Sequence, residues 1–322
     1  MATLHKFIER INTEAKFSGE LKYDETMSAH TSFKLGGKAD IWLRPDKEIF
    51  QSYAAKLLAS AREEAVPVFV LGAGANIVVS DRGIRGIVLD KGAYTGIIPE
   101  KDSETYDKDA RDTEIRTVLS GTQVDWLVGS LAEEGLSGME FLAGMPGSVG
   151  GAVWMNARCY GKSISDVLFK TEVLDESFQV KNVPFIAEDF DYKKSPFQGQ
   201  ENLILSASFA LRQTAKGEIF KEIAFNRQDR VEKGHYRFPS AGSAFKNNPI
   251  FGEPTGKIID ELGLRGFSLG GAQVAPWHGN IVINSGKATA ADVKNLIHEL
   301  LKRVKEEKGF ELESEILFVG DW

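Results

Sequence analysis

Two glycine-rich runs are the first places where this sequence can do chemistry. Gly72-Ala73-Gly74-Ala75-Asn76, followed by Ile77, comes directly after the apolar stretch VPVFVL. Glycine lets the backbone take positive φ and approach a ligand closely. Consecutive N–H groups in such a turn form an anion nest suited to a pyrophosphate. A plain tight turn uses the same residues. A Rossmann fingerprint is excluded, because its glycines open a helix and here Ile77-Val78-Val79 continues as a strand. The second run is Gly144-Met145-Pro146-Gly147-Ser148-Val149-Gly150-Gly151-Ala152. Phe141, Leu142, Val149, Val153 and Trp154 surround it, which a solvated loop would not need. Either its backbone lies against a flat ligand, or two elements pack closely at small residues.

The polar candidates are fewer. Ser243 sits in a glycine-supported turn, Ala241-Gly242-Ser243-Ala244-Phe245-Lys246, where a serine alone reads as a turn or cap residue. Arg230, Lys233, Lys246 and Asn247 flank it, and such groups suit a diphosphate; Arg230 and Lys233 read equally as ordinary exposed helix charges. Glu315 lies in FELESEILFVG, where alternation puts it on a face with Glu311, Glu313, Leu317 and Val319. A carboxylate at the apolar end of that face is partly desolvated and can have a raised pKa; a solvated strand face fits the same glutamates. Tyr192-Lys193-Lys194-Ser195 reads on its own as a solvated loop. The five histidines show no metal-ligand spacing, so no metal is expected. Cys159 is given no redox role.

These residues need elements to hold them. Helices are expected over 6–20, 46–64, the run VDWLVGSLAEEG, 214–233, the run TGKIIDELG ending at Gly263, and ADVKNLIHELLKRVKEEKG. Strands are expected at ADIWLRP, on both sides of the first glycine run, at RGIVLD, EIRTVLSG, LFKTEVLD, LILSASFAL and GNIVINSG, and finally at FELESEILFVG. Residues 255–300 look βαβ-like. The fold class is therefore α+β. The expected parts are residues 1–212 with the glycine loops, a small α/β domain at 213–303, and a last strand at 304–322 that returns to the first part or the cleft.

Composition narrows the function. The net charge of -7 disfavours nucleic-acid binding, and a nucleotide ligand needs a local cationic cluster. One cysteine precludes an intrachain disulfide and suits a reducing compartment. No run of about 18 apolar residues and no signal-like N-terminus is visible, so a cytoplasmic location without membrane contact is expected.

Six ordered segments then give a family resemblance: HTSFKLGGKAD (30–40), VLGAGANIVVSD (70–81), GMPGSVGGAVWMNA (144–157), PSAGSAFKNNP (239–249), GLRGFSLGGAQV (263–274) and LESEILFVG (312–320). Together the sequence resembles the UDP-N-acetylenolpyruvoylglucosamine reductases, from about Met27 to Gly320. The resemblance implies FAD held non-covalently by a two-subdomain region of the PCMH type, with a subdomain break near 91–112, and a smaller C-terminal domain for the UDP-sugar. It implies that NADPH supplies the hydride and that the enolpyruvyl double bond is reduced. The cofactor contacts it implies are Gly72, Ala73, Gly74, Ala75, Asn76, Ile77, Gly144, Pro146, Gly147, Ser148, Gly150, Gly151 and Ala152.

Hydride delivery to an enolpyruvyl group leaves an enolate whose charge spreads into the carboxylate, which calls for a cation there and a general acid nearby. By resemblance Ser243 is that proton donor and Glu315 a second catalytic residue. Two departures stand out: Ser314 replaces the family's proline before the glutamate, and Lys193 stands where the family has an arginine at the substrate carboxylate. Lysine keeps the charge and loses the two-pronged donor. Tyr192, Arg230, Lys233, Lys246 and Asn247 are the implied substrate contacts. The short interval from Ser195 to Ser243 resembles the family's type II form, and a monomer is expected. Two other functions fit less of the sequence: a related FAD-dependent carbohydrate oxidase does not explain AGSAFKNNP, and a UDP-sugar binder without turnover is suggested only by Lys193.

Overall fold

The computed structural model describes residues 2–99 and 113–322. The subdomain break expected near 91–112 falls largely at 100–112, outside the described residues. The chain forms two compact units, each assembled from separated segments. One comprises Met1–Leu21, Leu43–Ala73 and Val88–Gln228; the other comprises Lys22–Trp42, Gly74–Ile87 and Asp229–Trp322. A four-stranded sheet runs in the order Gly19–Thr26, Lys38–Pro45, Ile84–Asp90, Val68–Leu71.

The first unit is built on an antiparallel sheet. Its order is Val180–Pro184, Leu168–Leu174, Leu203–Gln213, Thr113–Leu119, Ile97–Ile98, with Leu136–Ser137 paired to the end of the central strand. Leu203–Gln213 is buried along most of its length, which explains its near-continuous apolar sequence. Leu127 and Leu131 of the helix Val124–Glu134 pack with Phe141, Val149, Val153, Phe197 and Phe209. That helix stops at Gly135, whose φ of 78° is the left-handed cap the sequence pattern predicts.

In the second unit, the helix Ala290–Lys308 buries Val293, Leu296, Ile297, Leu300 and Val304, a stripe at helical spacing. Thr289 and Asp292 form a capping box at its start. Asp81 also accepts the N–H groups of Ala290 and Ala291, at 2.8 and 2.9 Å. The helix packs with Phe33, Val78, Phe245, Ile258 and Ile316.

The α+β class holds, and several elements differ from expectation. The first helix is Ala2–Glu14 rather than 6–20, and residues from Gly19 onward form a strand. Residues 255–300 are not a βαβ unit. Their strands join an antiparallel sheet in the order Ser240–Ser243, Ile281–Asn284, Ala272–Val274, Ser268–Leu269. The hairpin at 268–274 has strands of only two and three residues, too short for a periodic signal. The second glycine run contains a short helix, Val149–Trp154, that its composition hides. The closing strand is Leu317–Val319, paired in parallel with Ile77–Val79, and Glu315 and Ile316 are both buried instead of alternating.

Candidate functional site

The turn from Gly72 to Asn76 leaves the strand Val68–Leu71. At Gly74 φ is +62°, and an added Cβ would meet the His30 carbonyl oxygen at 2.1 Å, so only glycine fits. No backbone carbonyl among the described residues accepts the N–H groups of residues 72–76. Buried or half-buried backbone donors are ordinarily paired, so this run of amides has the donor set that an anion nest requires. The turn's carbonyls are engaged instead. Ser32 N–H donates to the Gly74 oxygen at 3.0 Å. The Ser32 hydroxyl lies 3.1 Å from the Ala75 oxygen and 2.7 Å from the Ser240 oxygen, so its proton is shared between the turn and the strand that carries Ser243.

Ser243 ends the strand Ser240–Ser243, opposite Ile281, after a bulge at which Gly242 takes φ +75°. The next residues are tightly held. Ala244 N–H donates to the Asn280 carbonyl at 2.8 Å, and the Asn280 amide accepts from Phe245 N–H and donates to its carbonyl, at 2.9 and 2.8 Å. Glu315 N–H donates to the Ala244 carbonyl at 2.9 Å. The Asn76 side chain donates to the Glu315 carbonyl at 2.9 Å, and the Leu317 N–H to the Asn76 carbonyl at 3.1 Å. The second unit therefore brings Asn76, Ser243 and Glu315 to one place through backbone bonds, with Glu315 only 9% exposed.

The four groups suggested for a diphosphate have partners. Lys246 is ion-paired with Glu313, and Lys233 with Asp229 at 2.7 Å. The Asn247 side-chain oxygen accepts Thr255 N–H at 2.9 Å. Arg230 is buried rather than an exposed helix charge. Burial, followed by the Arg230 charge, pushes the neighbouring His235 down to about 4, so this imidazole is neutral at pH 7 and adds no charge there.

In the first unit the second glycine run is anchored inward. Val149 and Gly150 donate to the carbonyls of Thr122 and Ser120, both at 2.8 Å, and Gly151 donates to the Ser148 hydroxyl at 3.3 Å. These N–H groups are used by the protein itself. The backbone at Gly147 is different: φ is +144° and a Cβ there would meet nothing within 4 Å. A Cβ on Gly72 would stand 2.5 Å from the Ser148 hydroxyl oxygen, so the two glycine runs abut. Tyr192 and Lys193 occupy a tight turn closed by bonds between Asp191 and Lys194, at 3.3 and 3.0 Å. Lys193 takes φ +57°, a conformation non-glycine residues adopt at a cost. Asn156, Ser195 and Gln198 tie this turn to the end of the glycine run: Asn156 donates to the Asp191 carbonyl at 2.9 Å, and Ser195 and Gln198 donate to the Trp154 carbonyl at 2.7 and 2.9 Å. The Arg158 guanidinium sits 5.8 Å from the centre of the Tyr192 ring.

Ser32, Asn280 and Arg158 were not singled out by sequence. Ser32 lay within HTSFKLGGKAD, and its spacing from the glycine turn, 42 residues, carries no local signal.

Comparison with known proteins decides the family. The FAD binding domain family matches residues 52–182, and the family described as UDP-N-acetylenolpyruvoylglucosamine reductase, C-terminal domain, matches residues 234–319. A UDP-N-acetylenolpyruvoylglucosamine reductase of Treponema denticola is 38% identical, covering 97% of this chain and 97% of the relative. One from Agathobacter rectalis is 39% identical over 98% of this chain and 99% of its own length. The chain belongs to the UDP-N-acetylenolpyruvoylglucosamine reductase family. The crystal structure of a UDP-N-acetylenolpyruvylglucosamine reductase from Thermus caldophilus superimposes with a TM-score of 0.71, at 31% identity, covering 94% of this chain and 99% of that one. The FAD-binding region and smaller C-terminal domain of the reductase family are thus both present. Among the described residues no helix is long and apolar enough to cross a membrane.

Proposed function

We propose that this protein reduces the enolpyruvyl double bond of UDP-N-acetylglucosamine enolpyruvate, giving UDP-N-acetylmuramate, a precursor of peptidoglycan. The reading is carried by the near full-length likeness to the reductases together with the placing of Asn76, Ser243 and Glu315 on one backbone-bonded frame. FAD, when bound, supplies the hydride, which NADPH delivers to it. Residues 1–212 hold FAD, residues 213–303 hold the UDP-sugar, and residues 304–322 bring Glu315 to the site. The turn at 72–77 and the loop at 144–152 hold the cofactor, the first through its amides and the second through the open backbone at Gly147.

The chain's own residues must then manage one negative charge and one proton. The Lys193 ammonium neutralises the substrate carboxylate as it takes up enolate charge. Ser243 holds the proton at Oγ and gives it to the carbon next to that carboxylate. Glu315 holds the proton network to one side. Tyr192 and Asn247 orient the sugar nucleotide, and Arg230, Lys233 and Lys246 offer charge to its diphosphate once the partners of the last two are exchanged. The protein acts as a monomer in the cytoplasm, on small molecules alone.

The test is an anaerobic two-step experiment. The purified protein should be yellow and release FAD on denaturation. NADPH should bleach the flavin bands, and the enolpyruvyl substrate should restore them. Colourless protein that cannot be reconstituted with FAD sinks the proposal.

A further inference from the structure

Lys91 is a buried cation that the proposed reaction does not use. It follows the strand Ile84–Asp90 and is only 6% exposed. Its N–H donates to the carbonyl of Leu71 at 3.0 Å, the residue immediately before the first glycine turn. Its Nζ stands 2.7 Å from the point where a side chain on residue 150 would begin, and the Cβ of Ser120 stands 2.8 Å from the same point. So the ammonium lies over the second glycine run while its own backbone borders the first.

Neither polar head has a hydrogen-bond partner among the described residues. The Ser120 hydroxyl is buried and has no hydrogen-bond partner among the described residues. Nor is a hydrogen bond or ion pair to Lys91 Nζ found among them. The carboxylate next along the chain, Asp90, is occupied by Arg44 at 3.1 Å and by Gly92 N–H at 2.6 Å. Tyr94, bonded to the Lys91 carbonyl, keeps a neutral phenol, its pKa pushed up to about 12 by burial and by Glu172. A buried ammonium beside an orphaned hydroxyl is costly unless a ligand completes it.

Resting on the flavin assignment above, we propose that Lys91 and Ser120 form the inner wall of the cofactor's diphosphate subsite, donating to phosphate oxygens that also meet the amides of Gly72 and Ala73. Three observations converge on an anion there: the buried ammonium over the second glycine run, the orphaned Ser120 hydroxyl, and the backbone donors of Gly72 and Ala73, which no backbone carbonyl among the described residues accepts. The desolvation of the ammonium is met when the chain folds. An arriving anion therefore gains the attraction of a low-dielectric site without a further dehydration cost on the protein side.

The experiment uses the full-length protein stripped of FAD and titrated with FAD, ADP and riboflavin, with wild type, Lys91→Met and Ser120→Ala compared. Charge-assisted hydrogen bonds to a buried group predict that Lys91→Met weakens FAD and ADP alike, by roughly 10–100-fold, and leaves riboflavin unchanged. Ser120→Ala should weaken the same two ligands by about 3–10-fold. FAD and ADP affinities that stay at the wild-type level in both variants overturn the proposal, as does an equal loss for riboflavin. If Lys91→Met does not fold, the Ser120→Ala ratios decide alone. Wild-type protein that binds neither FAD nor ADP removes the flavin assignment itself, an outcome distinct from loss in the variants only.

Discussion

Replacing Lys91 by methionine should make the FAD-free protein more stable, even as it weakens its grip on the cofactor. Burial lowers the Lys91 pKa from 10.5 to about 8, with Asp90 opposing the shift only partly. At pH 7 the lysine is protonated in both the folded and the unfolded chain, and the folded state bears the cost of holding that proton in a dry site. The fall from 10.5 to about 8 corresponds to about 3 kcal/mol. Methionine keeps a stem of similar length and carries no charge, so its substitution should recover much of this. The pH dependence has a definite sign. Between pH 8 and 10.5 the unfolded chain binds more protons at this site than the folded one, so wild-type stability gains from rising pH across that window. The advantage of Lys91→Met should therefore be full below pH 8, shrink above it, and vanish near pH 10.5. Urea unfolding of both FAD-free proteins at pH 7 and pH 10 measures the difference, and groups other than residue 91 cancel between them. A variant that is no more stable at pH 7, or a gap that does not change with pH, refutes the reasoning.

Ser243→Ala should leave reduction of the flavin by NADPH nearly intact and slow its reoxidation by the enolpyruvyl substrate by roughly 10²–10⁴-fold, followed by stopped-flow absorbance; equal slowing of both halves marks the serine as structural. Lys193→Ala should lower turnover more than it weakens UDP binding, because the interaction strengthens as enolate charge develops. The comparison is Lys194→Ala: if only that variant loses turnover, the cation has been placed one residue too early. Asp81→Ala removes the carboxylate that accepts the N–H groups of Ala290 and Ala291, and should cost about 1–2 kcal/mol in urea unfolding with FAD content unchanged.

What the sequence disclosed depended on whether the signal was local. The helix Ala290–Lys308 was legible because its apolar stripe lies within it and its capping residues Thr289 and Gly309 lie immediately beside it. The glycine turn was legible because the positive φ at Gly74 is a local backbone demand, although the His30 carbonyl that bars a side chain there comes from far along the chain. The helix Val149–Trp154 was not, because glycine is a poor helix former, and what holds it is the Ser148 cap and the carbonyls of Ser120 and Thr122, nearly thirty residues upstream. The alternation drawn through Glu315 failed at one step: bonds to Ala244 and Asn76 redirect the chain before the strand begins at Leu317. Lys91 reads as an ordinary charge at the end of a strand; that it is buried follows from which residues arrive later to cover it. Ser32 is similar, since its partners at 75 and 240 are fixed only by the fold.

The parallel pairing of Ile77–Val79 with Leu317–Val319 sets a timetable for synthesis. Val79 must wait for Val319, and at about 5–20 residues per second that interval is on the order of 10–50 s. During it the segments Lys22–Trp42 and Gly74–Ile87 have been made, while Asp229–Trp322, with which they form one unit, has not. Val78 and Phe33, core residues of that unit, are then without most of their eventual packing partners. The nascent chain thus spends most of its translation with an apolar strand edge uncovered, which is where a holding chaperone would act and where ribosome stalling would leave the chain prone to aggregate.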